Sequence, residues 1–190
     1  MKPYSLRTWI FLALCCDLGL FAKRMVNPFA NLITGALHIP GGISTGFSLM
    51  FLATAAALTQ GRFCGAAMGA VQSALALSLG MVGSMGALSP VGYIAPGLVI
   101  DLVFMATKDR PLSRGERVVL ANTLASPAAA LAANCIVFHL SGVVLLLYLS
   151  IAAASGAFCG VLAARLASRL APVIKMGPGF EGSAGKGVSI

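Results

Sequence analysis

The sequence contains very few charged residues. Asp, Glu, Lys and Arg make up 9% of the 190 residues, and apolar residues make up 58%. An ordinary soluble domain has about 25% charged residues, because it needs them to cover its surface. The composition therefore excludes a soluble enzyme, a disordered chain and a nucleic-acid-binding protein. A helical protein embedded in a lipid bilayer is the class that fits.

The sequence also lacks the motifs of common catalytic and nucleotide-binding sites. Gly185-Lys186 matches the end of a phosphate-binding loop, but Phe180 stands where such a loop requires glycine. The five cysteines include no Cys-x-x-Cys pair and lie in apolar runs, so we interpret them as buried small residues. His38 and His139 are more typical of polar tips at a membrane boundary than of a metal site. We expect no enzyme activity, no metal and no cofactor, and no ATP hydrolysis by this chain.

Apolar runs separated by glycine, proline and charged residues predict six membrane-spanning helices. The first run, residues 8–22, is interrupted by Asp17, and we interpret it as a retained helix and not as a signal peptide. Asn27-Pro28 is expected to end this helix, and residues 27–40 are interpreted as a short interfacial helix. The other predicted spans are 43–59, 63–81, 90–107, 118–140 and 143–171.

The basic residues predict how the helices are oriented. With both termini in the cytoplasm, eleven of the thirteen Lys and Arg residues lie inside, and only Lys23 and Arg24 lie outside. The net charge of +8 is therefore a signal of topology. The predicted fold class is an all-α integral membrane protein with six transmembrane helices, N-in/C-in. We expect residues 1–171 to form one six-helix transmembrane domain and residues 172–190 to form a flexible cytoplasmic tail.

Two acidic residues, Asp17 and Asp101, lie inside predicted spans. A carboxylate in hydrocarbon is expensive, so each either bonds internally or contacts a cationic substrate or a partner helix. Asp17 lies two turns from Arg24 on the same helix face. Asp101 lies about 17 Å from Pro90 at 1.5 Å per residue, which is three turns inside the predicted outer boundary. We therefore assign Asp101 to helix pairing.

Small residues at four-residue spacing let helix backbones approach closely in lipid. Gly65 and Gly69 mark the third helix, and a ridge of Ala and Gly at 152–164 marks the sixth. We interpret both as packing within the chain. For Cys15 and Gly19 on the first helix, internal packing and contact with a partner protein remain alternatives.

Polar and aromatic residues in the spans either connect helices or line a pocket for a small, flat, polar molecule. The amides of Gln72 and Asn134 can donate and accept. Tyr93 lies one turn inside the outer boundary, where it offers a stacking surface. Residues 27–42 and 82–89 would form a roof over the pocket. The predicted substrate-binding residues are Asn31, His38, Phe47, Phe51, Gln72, Ser84, Tyr93, Asn134 and His139.

Two segments of the sequence resemble a known family. NPFANLITGALHIPGGISTGFSLMF (27–51) and GALSPVGYIAPGLVIDLVF (86–104) resemble S-components of energy-coupling factor (ECF) vitamin transporters. The second is similar to the hydroxymethylpyrimidine/thiamine-type members. The resemblance implies a prokaryotic plasma-membrane protein that captures a small vitamin or precursor at the external face. It implies three partners, a transmembrane coupling subunit and two ATPase subunits, which drive uptake.

The resemblance also implies a docking site on the first helix. The family uses an Ala-x-x-x-Ala motif there, and the nearest match in this chain is Cys15-x-x-x-Gly19. Two other functions remain alternatives. One is a small proton-coupled secondary transporter with Asp17 and Asp101 as proton carriers, although no inverted repeat between the halves is visible. The other is a structural membrane protein without a ligand.

Overall fold

A computed structural model describes residues 6–35, 43–59, 63–80 and 83–175. Every regular element in these ranges is helical, which confirms the all-α fold class for the described part of the chain. A 3-10 helix (Gly83–Leu88) precedes the fourth long helix, and a π-helical turn (Asn134–Phe138) extends the fifth. The long helices are α1 (Leu6–Gly35), α2 (Ile43–Thr59), α3 (Cys64–Ser78), α4 (Ser89–Ala106), α5 (Arg114–Ala133) and α6 (Gly142–Lys175).

Among the described helices, three are long and apolar enough to cross a membrane. They are Gly86–Ala106, Arg114–Phe138 and Gly142–Ala171. The shorter α2 and α3, of 17 and 15 residues, rise about 26 and 23 Å. These helix lengths and compositions are compatible with a membrane protein. The predicted tail, 172–190, begins inside α6, which continues to Lys175, and the rest of the tail lies outside the described residues.

The helix α2 lies at the centre of the bundle. It contacts each of the other five long helices, and residues 52–58 are all buried. Most of these residues are small, which allows neighbouring helices to surround α2 closely. Thr54 donates a hydrogen bond to the Met50 carbonyl oxygen of its own helix at 2.8 Å, and lies 3.4 Å from the Ala163 carbonyl oxygen of α6.

The helix α1 is longer than the sequence predicted. The expectation that Asn27-Pro28 ends it is wrong, because α1 runs through both residues as one helix. Residues 27–35 therefore do not form a separate interfacial helix, and residues 36–40 lie outside the described part. A proline inside a helix removes only one backbone hydrogen bond, and membrane helices tolerate this loss. Pro96 and Pro127 likewise lie inside α4 and α5.

The helix α5 begins four residues before the predicted start at Val118. A capping box explains the difference, since Ser113 and Glu116 satisfy each other's backbone N–H groups. The Ser113 side chain accepts from the Glu116 N–H at 3.2 Å, and the Glu116 carboxylate accepts from the Ser113 N–H at 2.8 Å.

Glycines allow the closest helix contacts. A Cβ added to Gly65 would lie 2.5 Å from the Gly97 carbonyl oxygen, and one added to Gly69 would lie 2.5 Å from another α4 carbonyl oxygen. On α6, Gly156 and Gly160 face α5, with added Cβ atoms 2.6 Å and 3.0 Å from its nearest atoms. The predicted packing of both small-residue ridges within the chain is confirmed.

We expect Gly97→Ala to lower the stability of the bundle. The new methyl group would meet the Gly65 backbone of α3, and such overpacking costs about 1–3 kcal/mol. Thermal unfolding of the protein in detergent micelles measures this loss. The neighbouring Leu98, which is 41% exposed, supplies the control. Leu98→Ala should leave the melting temperature nearly unchanged, and equal melting of both variants would contradict the α3–α4 contact.

Candidate functional site

The carboxylate of Asp101 on α4 binds the start of α3. Its Oδ1 accepts a hydrogen bond from the Gly65 N–H and its Oδ2 accepts one from the Ala66 N–H, each at 2.8 Å. Such N–H groups in the first turn of a helix have no partner within the helix, and the helix dipole favours negative charge there. Asp101 therefore caps α3 from a neighbouring helix. The prediction that it pairs helices is confirmed.

The helix α3 has no N-terminal cap of its own. Phe63, which precedes it, has a left-handed conformation with φ 58° and provides no side-chain hydrogen bond. An aromatic residue at positive φ is strained, so surrounding contacts must hold it in place. The external cap from Asp101 stabilises the helix start that Phe63 leaves uncapped.

We expect Asp101→Asn to destabilise the protein. The Asn side chain keeps one acceptor oxygen, and its NH2 group replaces the other. An NH2 group cannot accept a hydrogen bond, so one buried backbone N–H of α3 is left without a partner. Such a loss costs about 1–3 kcal/mol. Thermal unfolding in micelles again measures the effect, with Asp109→Asn in the exposed loop as the matched control. A melting temperature for Asp101→Asn equal to the control would show that the cap contributes nothing.

A second polar group lies where α1, α3 and α4 meet, at the end predicted to be external. The Lys23 Nζ lies 4.5 Å from the centre of the Tyr93 ring and donates to the Tyr93 Oη at 3.4 Å. Tyr93 is 9% exposed and packs with Leu20, Leu75 and Ala76. The predicted stacking residue therefore already carries a cation over its ring.

Gln72 lies in the contact between α1 and α3. Its side chain is 1% exposed, and its Nε2 donates to the Cys16 carbonyl oxygen at 3.2 Å. A Cβ added to Gly19 would lie 2.6 Å from the Gln72 Nε2 and 3.2 Å from the Ser48 carbonyl oxygen. Cys15 is also buried. A partner would have to displace these contacts to reach Cys15 or Gly19, so their docking role stays a prediction.

Asn134 closes the turn between α5 and α6. Its Oδ1 accepts from the Leu140 N–H at 2.7 Å, and its Nδ2 donates to the Leu140 carbonyl oxygen at 3.3 Å. His139 is exposed and has a left-handed conformation, with φ 48°. Its N–H donates to the Asn134 carbonyl oxygen at 2.9 Å. Both predicted site residues therefore shape this turn.

The remaining predicted site residues are spread over the chain. Phe47 and Phe51 are half-buried and pack against the main apolar core. Asn31 and Ser84 lie on described backbone, but their side chains are outside the described part, as is all of His38. Among the predicted residues that the structure describes, Gln72 lies beside Gly19, and Asn134 is hydrogen-bonded to His139. These two pairs belong to different helix contacts, so the described residues do not form one site.

A cavity of about 490 Å³ lies at the other end of the bundle from Tyr93. It is enclosed by the end of α2, the start of α3, the end of α4 and the start of α5. Sequence analysis missed this site, because the basic segment 108–117 was used only to orient the helices. The charged residues that line the cavity are Asp101, Lys108, Arg114 and Arg117.

The side chain of Asp17 lies on the exposed side of α1. Its neighbours Leu14, Leu18 and Phe21 are 56%, 49% and 63% exposed. Within the described part of the chain, Asp17 has no hydrogen bond or ion pair, and Arg24 is also exposed. Among the described residues, the carboxylate therefore has no partner and lies beside apolar side chains that face outward.

Comparison of the chain with protein-family models, with curated proteins and with solved structures finds no match. The resemblance to S-components therefore stays a prediction from the sequence, and functional arguments depend on the residues described above.

Proposed function

We propose that this chain is the substrate-binding S-component of an ECF-type importer. In this proposal it crosses the plasma membrane of a prokaryote six times, with both termini in the cytoplasm. It captures a small vitamin or precursor outside, and a coupling subunit with two ATPase subunits drives uptake. The resemblance of segments 27–51 and 86–104 to that family supports the proposal.

The observation that carries the proposal is the exposed carboxylate of Asp17, which has no partner among the residues that the structure describes. A charge at the centre of a membrane helix costs about 2.5–3.5 kcal/mol on insertion scales. A partner that donates a hydrogen bond or supplies a cation removes much of this cost. Exposed apolar residues continue the same side of α1 at spacings of three or four, as a helix–helix contact requires. This stripe consists of Ile10, Leu14, Leu18, Phe21 and Met25. Such a surface favours a subunit of a complex over a chain that works alone.

The contact between Lys23 and Tyr93 favours a neutral substrate over a cationic one. A cationic ligand stacked on Tyr93 would compete with the Lys23 ammonium group for the ring. A neutral heterocycle with hydrogen-bond acceptors would instead receive a hydrogen bond from Lys23. The proposal therefore favours a hydroxymethylpyrimidine-like compound over the thiamine cation.

The alternative of a proton-coupled transporter gains no support from the two acids. Both oxygens of Asp101 accept backbone hydrogen bonds. Asp17 lies on the outer side of α1 and not on a face toward the other helices. Neither acid is therefore placed like a carrier inside a pathway.

We expect Asp17→Leu to impair assembly with the coupling subunit and the two ATPase subunits. Truncating one member of a buried charge pair costs about 2–5 kcal/mol, so the affinity should fall about 30-fold or more. Co-purification of the four subunits after co-expression measures this loss. The isolated variant should be at least as stable as the wild type, because an exposed charge is replaced by an apolar side chain.

The matched control is Phe158→Leu on the exposed side of α6, where the side chain is 68% exposed. This variant should assemble like the wild type. Full assembly of Asp17→Leu would show that the stripe on α1 around Asp17 is not the docking surface. If even the wild-type chain forms no complex with the three subunits, the proposed function itself is refuted.

We expect hydroxymethylpyrimidine to raise the melting temperature of the isolated protein more than thiamine does. A ligand at 100 times its Kd stabilises a protein by about 2.7 kcal/mol. Tyr93→Ala should weaken binding about 5- to 30-fold, since a stacking contact is worth about 1–2 kcal/mol. Phe158→Leu, on the exposed side of α6 and outside the predicted site, is again the control. A larger shift with thiamine would overturn the argument from Lys23, and no shift with either compound would count against this substrate class.

A further inference from the structure

The cavity at the predicted inner end of the bundle has a strongly basic lining. Lys108, Arg114 and Arg117 contribute three positive charges, and Asp101 contributes the negative one. Both oxygens of Asp101 already accept hydrogen bonds from the start of α3. The lining of the cavity therefore carries a net positive charge that an anionic ligand can neutralise.

The position of the basic side chains is set by local hydrogen bonds. The Arg117 Nη2 donates to the carbonyl oxygens of Lys108 and Arg110, each at 3.2 Å, and so holds the loop against α5. Its Nε is buried without a hydrogen-bond partner among the described residues. Glu116, which could neutralise a neighbouring cation, is engaged by the capping box.

The described residues offer no partner for two of the cations. Neither Lys108 nor Arg114 forms a side-chain hydrogen bond or ion pair within the described part of the chain, and both are exposed at the cavity mouth. Three cations around one volume recognise an anion with several acceptor oxygens, and a phosphate group has this chemistry.

The rest of the cavity wall is apolar. Phe63, Phe104 and Met105 line it, and Phe63 and Met105 are 57% and 45% exposed. A free anion gains nothing from such a surface, whereas the glycerol and first acyl carbons of a lipid can cover it. The cavity also lies at the ends of helices, where a membrane protein meets lipid headgroups.

We infer that this cavity binds the phosphate group of an anionic phospholipid. The phosphate lies among Lys108, Arg114 and Arg117, and the glycerol and upper acyl chain lie against Phe63 and Met105. Basic pockets between membrane helices on the cytoplasmic side bind anionic headgroups in this way. The volume of about 490 Å³ falls in the range of small-molecule sites. The inference does not depend on the proposed transport function.

Lipid binding to the purified full-length protein tests the inference. Delipidated protein in neutral detergent is titrated with phosphatidylglycerol or phosphatidylcholine, and native mass spectrometry counts the bound molecules. We expect one tightly bound phosphatidylglycerol and no comparable site for phosphatidylcholine.

Lys108→Gln should weaken phosphatidylglycerol binding about fivefold, and so should Arg114→Gln, which corresponds to about 1 kcal/mol per cation. The double variant should lose about 25-fold if the two charges act independently.

Two further variants make the result specific. Arg165 and Arg169 are exposed near the end of α6, at the same end of the bundle, and do not line the cavity. The double variant Arg165→Gln/Arg169→Gln should bind phosphatidylglycerol like the wild type. The charge-conserving Lys108→Arg/Arg114→Lys should also retain binding, which shows that the loss follows charge and not misfolding.

Three outcomes would overturn the inference. Equal losses in the cavity variant and the α6 control would show general attraction to a positive surface. Displacement of the lipid by millimolar inorganic phosphate would make the site one for a free anion. Both lipids carry a phosphate, and only phosphatidylglycerol has a net negative charge, so equal affinities would show that the site does not select an anionic phospholipid.

Discussion

The hydrogen bonds between Asp101 and the start of α3 determine how α3 lies on α4. The two helices are antiparallel, with Gly65 opposite Gly97 and Gly69 opposite Tyr93. Asp101 follows Gly97 by one turn, so it lies just beyond the first residue of α3, where a side chain can reach unpaired N–H groups. A carboxylate one turn earlier on α4 would face N–H groups of α3 that are already hydrogen-bonded within the helix, so it would find no donor. This one contact holds one wall of the basic cavity and sets the position of Tyr93 at the opposite end.

The sequence predicted the all-helical fold class and the approximate bounds of α2 to α6 well, because long apolar runs and small-residue ridges depend only on local composition. It failed where a local signal competes with packing. Asn27-Pro28 is a strong helix terminator in water, yet α1 continues through it. The start of α5 was visible as Ser113-x-x-Glu116, a capping box that the apolar pattern obscured.

The depth of Asp101 indicated a role in pairing, but no pattern indicates which helix end it caps. The contact of Lys23 with Tyr93 joins residues 70 positions apart, so it depends on the tertiary fold.

The polar residues in the middle of the bundle mainly connect helices. The Nδ2 of Asn122 donates to the Gly156 carbonyl oxygen at 2.8 Å and lies 3.4 Å from the Gly46 carbonyl oxygen. Gln72 similarly donates to α1. Backbone carbonyl oxygens in a helix keep a second lone pair, so they accept such bonds without breaking the helix. A ligand bound among these side chains would have to replace those contacts. The two ends of the bundle, where cations lie beside aromatic rings, are chemically better suited to bind one.

The central position of α2 affects how the protein is made. Gly46 packs against Ser155 and Gly156, and Thr54 reaches Ala163, which is 109 residues later in the chain. During synthesis α2 is made long before α6, so its hydroxyl groups and small residues at first lack their partners on α6. Contacts between such distant segments form slowly. The bundle therefore closes only when the last helix arrives, and a chain stopped before α6 would leave α2 exposed to quality-control proteases.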